Sequence, residues 1–505
     1  MPASVKKRFA VSLASNALRA GMSFLAGLLV ARGLGPEDYG RLMFLLGSFV
    51  SIKSLLDLGT SNAFYTFISQ AKRPLRYYSF YLAWLAAQFV ATATAVALLL
   101  PDALVRQAWV GEHRALILLA FTASFLQQQL WQTVNQIGEA SRKTIRVQVL
   151  NLALAVVYLA GAYALTALAA LSIRAVLLLL IAQYIAAVMA AFKVLGPSEA
   201  GEEEGRETLS GMLKKYRDYC APLALLSVAA FLYDFADKWM LQRFGGAIQQ
   251  GFYQVSYQFA SISVLATASI LNIFWKETAE AVRRKDMARV ERLFRKVSRS
   301  LYFFGALLSG FLIPWSGEIV RVFLGGNYAS AVSVLALMFL YPVHQALGQI
   351  ATTLLLAVEK TRQYFYISLA VMLFSFPAAY FLLAPPAWAV PGLGLGAIGL
   401  ALKMVLVNIV SVNLILWVIA KNCGWDYEWF YQAAGLALAV GLGAAVKFLA
   451  EGVFQGLVGG GALPSFLLSA LLYAGGAGAA LRAMPWLAGL SREELLAYLK
   501  RGGKD

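Results

Sequence analysis

Two stretches of this chain decide how it is read: FLAGLLVARGLGPEDYG at Phe24–Gly40 and FADKWMLQRFGGAIQQG at Phe235–Gly251. Both end an apolar run with the same frame, Phe24, Arg32, Gly35 and Gly40 in the first and Phe235, Arg243, Gly246 and Gly251 in the second, 211 residues apart. A second block repeats at an offset of about 217, where Gln128, Gln132, Lys143 and Thr144 are matched by Gln345, Gln349, Lys360 and Thr361. Chance matches among apolar residues carry little weight. A repeated Gln-x-x-x-Gln and a repeated R-x-x-G-x-x-x-x-G carry more, and they predict a chain built from two related halves.

Outward from those stretches, the chain is apolar throughout. Of 505 residues, 60% are hydrophobic and 14% charged, against about 45–50% and 25% in a soluble domain. The apolar residues fall in runs of about 20, the length that crosses a bilayer. The reading is an all-α polytopic membrane protein with about fourteen transmembrane helices, from Phe9–Ala31 to Leu463–Leu481, among them Leu42–Ile68, Ala115–Ile137 and Leu301–Phe323. The formal charge of +17 points to basic cytoplasmic loops rather than nucleic acid. Lys6, Lys7 and Arg8 precede the first span, and basic clusters recur at Lys72–Arg76, Arg142–Arg146, Lys214–Arg217, Lys276–Arg299 and Lys360–Arg362. They sit on alternate loops, which places both termini in the cytoplasm. The first apolar run continues to Arg32 without a small-residue cleavage pattern and reads as an uncleaved span.

Six spans per half make the repeats parallel, with a substrate site between them near mid-membrane. The expected domains are a six-helix lobe at 1–195, a linker at 196–219 carrying Glu202, Glu203 and Glu204, a second six-helix lobe at 220–420, two extra helices at 421–483 and a tail at 484–505. In that tail Ser491 and Glu494 form a capping-box pattern before Leu495, Leu496 and Leu499, predicting an amphipathic helix on the membrane surface. Cys220 and Cys423 imply no disulfide framework, and His113 and His344 leave no metal site. No cofactor is expected.

Four cations lie deep in apolar runs: Arg19, Lys53, Lys238 and Lys403. Each costs at least about 2.5–3.5 kcal/mol there, so it points to a wet cavity or a charged cargo. Arg19 shares a stripe with Ser12, Ser15, Asn16 and Ser23 and has no carboxylate one turn away. Lys53 has Asp57 at i+4, which leaves a neutralised pair as the competing reading. Lys238 is near a span end and could snorkel. Lys403 could instead pack against its neighbours. Gln128, Gln132, Gln345 and Gln349 could face cargo or serve as hydrogen bonds between helices. Asp57, Asp234 and Asp237 are candidate ion sites because they are intramembrane carboxylates.

ARGLGPEDYG at Ala31–Gly40, YDFADKWMLQRFGG at Tyr233–Gly246 and GFYQVSYQFASI at Gly251–Ile262 together resemble the polysaccharide flippases of the multidrug/oligosaccharidyl-lipid/polysaccharide exporter superfamily. Lys238 stands where that family more often has Arg, which weakens a bidentate phosphate contact at this position. The resemblance implies two six-helix lobes around a central cavity plus two C-terminal helices, the latter forming a groove for a lipid tail in the related lipid II flippases. It implies a cargo of oligosaccharide on polyprenyl pyrophosphate, moved across the cell inner membrane for cell-surface polysaccharide or lipopolysaccharide synthesis. Polysaccharide polymerase and glycosyltransferases are the further candidate partners. On this reading Arg19, Lys53 and Lys403 contact the headgroup, and Asn16 and the four glutamines are substrate-facing. A multidrug exporter of the same architecture is the runner-up, with a lipid II flippase beside it. A multidrug exporter's cationic cargo favours buried carboxylates, and the deep cations argue against it. A membrane glycan polymerase or ligase fits poorly, because the outer loops are too short for a catalytic domain.

Overall fold

The computed structural model describes residues 5–195, 208–265, 268–454 and 462–494. Among them the chain forms helices and no strand. Ten helices among the described residues are long and apolar enough to cross a membrane, or eleven when the pair bent by 69° at Met287–Leu312 and Ser316–Phe323 is one span. Two of the ten, Ala14–Asp57 and Leu209–Ile262, run 44 and 54 residues, twice the length one crossing needs. The Glu202–Glu204 linker and the tail leucines 495, 496 and 499 lie outside the described residues.

The chain divides into two compact units, Met1–Gly251 and Phe252–Asp505. In the first, α1 (Val5–Asp57) is followed by α2 (Thr60–Gln70), α3 (Leu75–Thr94), α4 (Asp102–Ala108), α5 (Arg114–Phe125), α6 (Trp131–Ala140), α7 (Thr144–Ala167), α8 (Ile173–Leu195) and α9 (Leu209–Met240). The first turn of α10 (Gly246–Leu265) closes it. α1 packs along α5, α7 and α9.

α1 contains one non-helical residue, Gly35, with φ 76° and ψ 171°. That conformation is almost restricted to glycine. Pro36, Glu37 and Asp38 then restart the helix, with proline in the first turn and carboxylates near the positive end of the helix dipole. Gly246 has φ 80° and ψ 177°, so the repeated glycine repeats its conformation. The other repeated glycine sits where the two copies cross. A Cβ on Gly40 would lie 1.8 Å from the Ala247 carbonyl oxygen, and one on Gly251 would lie 2.1 Å from that of Pro36. Ala247 is to Gly251 as Pro36 is to Gly40, so the crossing is a local two-fold contact made of backbone.

Three expected spans are interrupted. The helix read as Leu42–Ile68 breaks at Leu58 and Gly59, both at positive φ (45° and 86°). The helix read as Ala115–Ile137 carries a π-turn at Leu126–Leu130 between α5 and α6. The span read as Leu301–Phe323 bends by 69° at Pro314, which lacks the N–H that would continue the ladder.

The second unit holds the rest of α10, α11 (Ala268–Arg283), α12 (Met287–Leu312), α13 (Ser316–Phe323), α14 (Val332–Met338), α15 (Tyr341–Ala357), α16 (Thr361–Leu383), α17 (Gly396–Cys423), α18 (Phe430–Leu449) and α19 (Ala462–Ala483). Its core centres on Leu347, Ile350, Ala351 and Leu354 of α15 against α12 and α17. α18 lies on α12 through the small residues Gly435, Ala439 and Gly443, one turn apart. A Cβ on Gly443 would be 2.0 Å from the Gly310 oxygen, the close approach that small residues allow between membrane helices.

The segment after α19 folds back on the middle of α12. Arg299 donates to the Trp486 carbonyl (3.2 Å) and Ser300 to that of Ala488 (2.7 Å). Gly489, at φ 70°, sits against the Lys296 backbone. Ser491 and Glu494 make the expected reciprocal capping box, at 3.0 and 3.1 Å, and Lys296 pairs with Glu494 at 2.7 Å. Arg295 and Arg299 both pair with Glu428, just before α18.

Candidate functional site

The polar stripe of α1 lies on an open face: Asn16, Arg19 and Ser23 are exposed. Arg19 Nη2 is 3.4 Å from Asn16 Oδ1, and no carboxylate pairs with it among the described residues. Its charge is thus held by a neutral neighbour and the surroundings.

At the far end of α1, beyond the break at Gly35, Asp57 is engaged by other partners than Lys53. It accepts hydrogen bonds from Thr60 Oγ1 (2.9 Å), Ser61 N (2.8 Å) and Ser61 Oγ (2.7 Å). It thereby caps the start of α2, where backbone N–H groups need an acceptor and the helix dipole favours an anion. The break at Leu58–Gly59 creates those donors. Gln88 answers the other side of the break, donating to the Leu56 carbonyl at 3.0 Å.

Lys53 makes no hydrogen bond or ion pair among the described residues. It is half-buried and lines a hollow of about 10 Å³ with Ser124, Gln128, Gln129 and a ring of apolar side chains. That is room for about one water. Gln129 is engaged, donating to Gln88 Oε1 at 3.2 Å. Ser124 is 3% exposed and its hydroxyl has no partner. Gln132 is exposed beyond the π-turn. Asn135 is used between helices, its amide oxygen accepting from Asn151 at 2.8 Å.

Lys238 reaches inward within the same unit. Its Nζ donates to Ser51 Oγ at 2.9 Å, and its Cδ and Cε lie 3.1 and 3.2 Å from where a Gly47 Cβ would be. The missing side chain at Gly47 makes the channel for the lysine stem. Asp234 is exposed on α9 and Asp237 half-buried.

In the second unit Lys403 is 1% exposed. The structure encloses it within α17 and its neighbours and gives it no open face. Gln345 and Gln349 are half-buried on α15. A groove of about 400 Å³ there is lined by Tyr302, His344, Asn413, Tyr427 and Gln432 among others. The Asn413 and Gln432 amides exchange hydrogen bonds at 3.0 and 3.2 Å, so they satisfy each other. No group of His, Cys, Asp or Glu among the described residues is arranged to hold a metal ion.

Sequence reasoning missed Ser124, the Gln88–Gln129 clasp and the capping role of Asp57. The π-turn at Leu126–Leu130 was missed as well, since it interrupts a run that keeps an ordinary helical pattern.

Comparison with known proteins places this geometry in a family. The model of the polysaccharide biosynthesis protein family matches residues 5–275. No curated protein sequence matches. Among solved structures, the lipid II flippase MurJ in an inward closed conformation superposes with a TM-score of 0.69 at 13% identity, covering 94% of this chain and 99% of that one. An inward-facing multidrug resistance transporter of the MATE family gives 0.59 at 13% identity, covering 80% and 95%. A MOP superfamily transporter from Pyrococcus furiosus gives 0.52 at 13% identity, covering 83% and 96%. With over half its length matched by the family model, the chain belongs to the polysaccharide biosynthesis protein family.

Proposed function

We propose that the protein is a flippase that moves oligosaccharide linked to polyprenyl pyrophosphate across the cell inner membrane by alternating access. The observation that carries this reading is the state of its deep cations. Arg19 is exposed beside Asn16 with no carboxylate paired to it, and Lys53 makes no ion pair, the Asp57 carboxylate that attracts it being hydrogen-bonded to Thr60 and Ser61 at the start of α2. Positive charge without an ion-pair partner in a membrane span suits an anionic headgroup, whose hydration it can replace. Asn16, Gln128, Gln132, Gln345 and Gln349 are the side chains assigned to hydrogen-bond the headgroup and sugars. Lys403, being enclosed, ranks below Arg19 and Lys53. Asp234 and Asp237 stay candidates for ion coupling, while Asp57 ranks below them as an engaged cap.

The same proposal includes about fourteen spans, six-helix lobes at 1–195 and 220–420, both termini in the cytoplasm, and polysaccharide polymerase and glycosyltransferases as partners. Arg19→Ala is expected to abolish polymer export while the protein still inserts. Normal export by that variant at equal membrane abundance would refute the assignment. A second reading, lipid II as cargo, is favoured by the near-complete overlap with MurJ. Rescue of a strain depleted of its lipid II flippase, without rescue of polysaccharide export, would select it.

A further inference from the structure

We infer that His344 is a proton-binding site of the second unit, and that the ion coupled to transport is a proton taken up there. The inference rests on the flippase reading and names a coupling ion for it.

Four observations carry it. His344 lies in the first turn of α15, inside the apolar span Gly326–Ala357, and is 6% exposed. An ionisable side chain kept within a span is costly and marks a functional site by default. It is not sealed in the core, because it lines the groove of about 400 Å³ together with Asn413, Gln432 and Tyr427. Its ring is held in place: the Tyr302 ring stands edge-on at 5.3 Å, and the Gln432 side chain is its hydrogen-bond partner. Gln432 is in turn clasped by Asn413, which accepts from the Tyr427 hydroxyl at 2.7 Å. That series of side chains leads from the buried imidazole to exposed Tyr427, which also borders a hollow of about 40 Å³ beside Arg295, Arg299 and Glu428. Finally, Gln432 is the one side chain that bonds the imidazole among the described residues. One of the two ring nitrogens is thus left to exchange a proton with the groove.

The chemistry of the lining selects the ion. Sodium in transporters is held by oxygen ligands, often freed backbone carbonyls. This groove has no carboxylate in its lining, and its two amides are spent on each other. An imidazole takes a proton and not an alkali cation. The titratable groups facing it are phenols: Tyr302 from α12 and Tyr427 from the loop before α18, with Tyr431 behind Tyr302 at 5.6 Å between rings. Arg299 stands over Tyr431 at 5.3 Å and is paired with Glu428. On α17 the charged residues are Lys403, six positions before Ile409, and Lys421. α11 and α16, which also pack on α15, carry theirs within Lys276–Arg283 and at Arg362, and α14 carries none. No charged side chain lines the groove. The cost of a proton on His344 is therefore set by how much water the groove admits, so a state that widens it binds the proton more tightly than one that dries it. A proton affinity that differs between two states is what coupling requires.

The test uses the full-length protein in lipid nanodiscs, with isotope-labelled histidine read by NMR. The chain has two histidines, so His344→Gln assigns both signals by removing one. His113, exposed just before α5, is the internal reference and should titrate near about 6.5. His344 is expected to titrate separately between about pH 4 and 8. Its midpoint should move by about tenfold in proton concentration when polyprenyl pyrophosphate is added, and not when polyprenol is. Reciprocally, polyprenyl pyrophosphate should bind the native protein with an affinity that changes about tenfold across that titration, a dependence absent in His344→Gln. A His344 that keeps one charge state over the whole range, or whose midpoint ignores every ligand, overturns the inference. No titration of His344 with export lost in Arg19→Ala removes the proton site and leaves the flippase reading. A midpoint moved by the cation tetraphenylphosphonium and untouched by polyprenyl pyrophosphate keeps the proton site and overturns the flippase reading.

Discussion

Replacing Gly40 by alanine tests the backbone crossing directly. The new Cβ would lie 1.8 Å from the Ala247 carbonyl oxygen and 2.8 Å from the Gly251 nitrogen. Ordinary contact begins at 3.4 Å, so the two segments must part by about 1.6 Å. Both obstructing atoms belong to backbone, and no side chain can turn away. Overpacking typically costs about 1–3 kcal/mol, and Gly40→Ala should fall at the top of that range. Gly21→Ala is the control. It lies in the same helix with nothing within 4 Å of the added Cβ, and helix propensity alone should stabilise it by up to about 1 kcal/mol. SDS-induced unfolding of the purified protein in mixed micelles should therefore separate the two variants by about 3–4 kcal/mol. Combining Gly40→Ala with Gly251→Ala should cost less than the sum, because the first opens the gap the second needs. A Gly40→Ala protein as stable as Gly21→Ala would refute the crossing.

Lys296 and the Ser491 backbone hold the Glu494 carboxyl below the usual glutamate range. Its contribution is full above the unfolded value of about 4.3 and is lost as pH falls through the lowered one. Amide exchange over Trp486–Glu494 should accelerate in that acid window, and Glu494→Gln should remove the dependence. Glu428→Gln takes a shared carboxylate from Arg295 and Arg299 and should destabilise the protein by about 1–2 kcal/mol after solvent screening; an unchanged unfolding midpoint would mean these pairs contribute nothing. Gly443→Val places its side chain on the Gly310 oxygen and should loosen α18 from α12, read as loss of cross-linking between cysteines introduced on the two helices.

The membrane class was legible because apolar runs of crossing length cannot be hidden in a sequence. The repeated Gly35 and Gly246 were legible as a matched pair of positions, and their dihedrals agree. Asp57 shows where such reading stops. Its i+4 spacing to Lys53 suggested a pair, but the break at Leu58–Gly59 supplied three better donors, and nothing in the helical period announces that break. Lys403 and Lys238 looked alike as buried charges. One is enclosed and the other spans to Ser51 through the space left at Gly47, a distinction set by neighbours distant in sequence. Ser124 was invisible, since an unpartnered hydroxyl is defined only by what surrounds it.

The two-fold crossing at Gly40 and Gly251 also bears on descent. If the chain arose by duplication of one half, most paired positions could drift apart, each copy answering to its own surroundings. These two could not. Each copy's glycine is required by the other copy's carbonyl, at Ala247 for one and Pro36 for the other. A mutation in either half is thus judged by the opposite half, which ties the two copies to a shared history at this point while the rest of the sequence diverges.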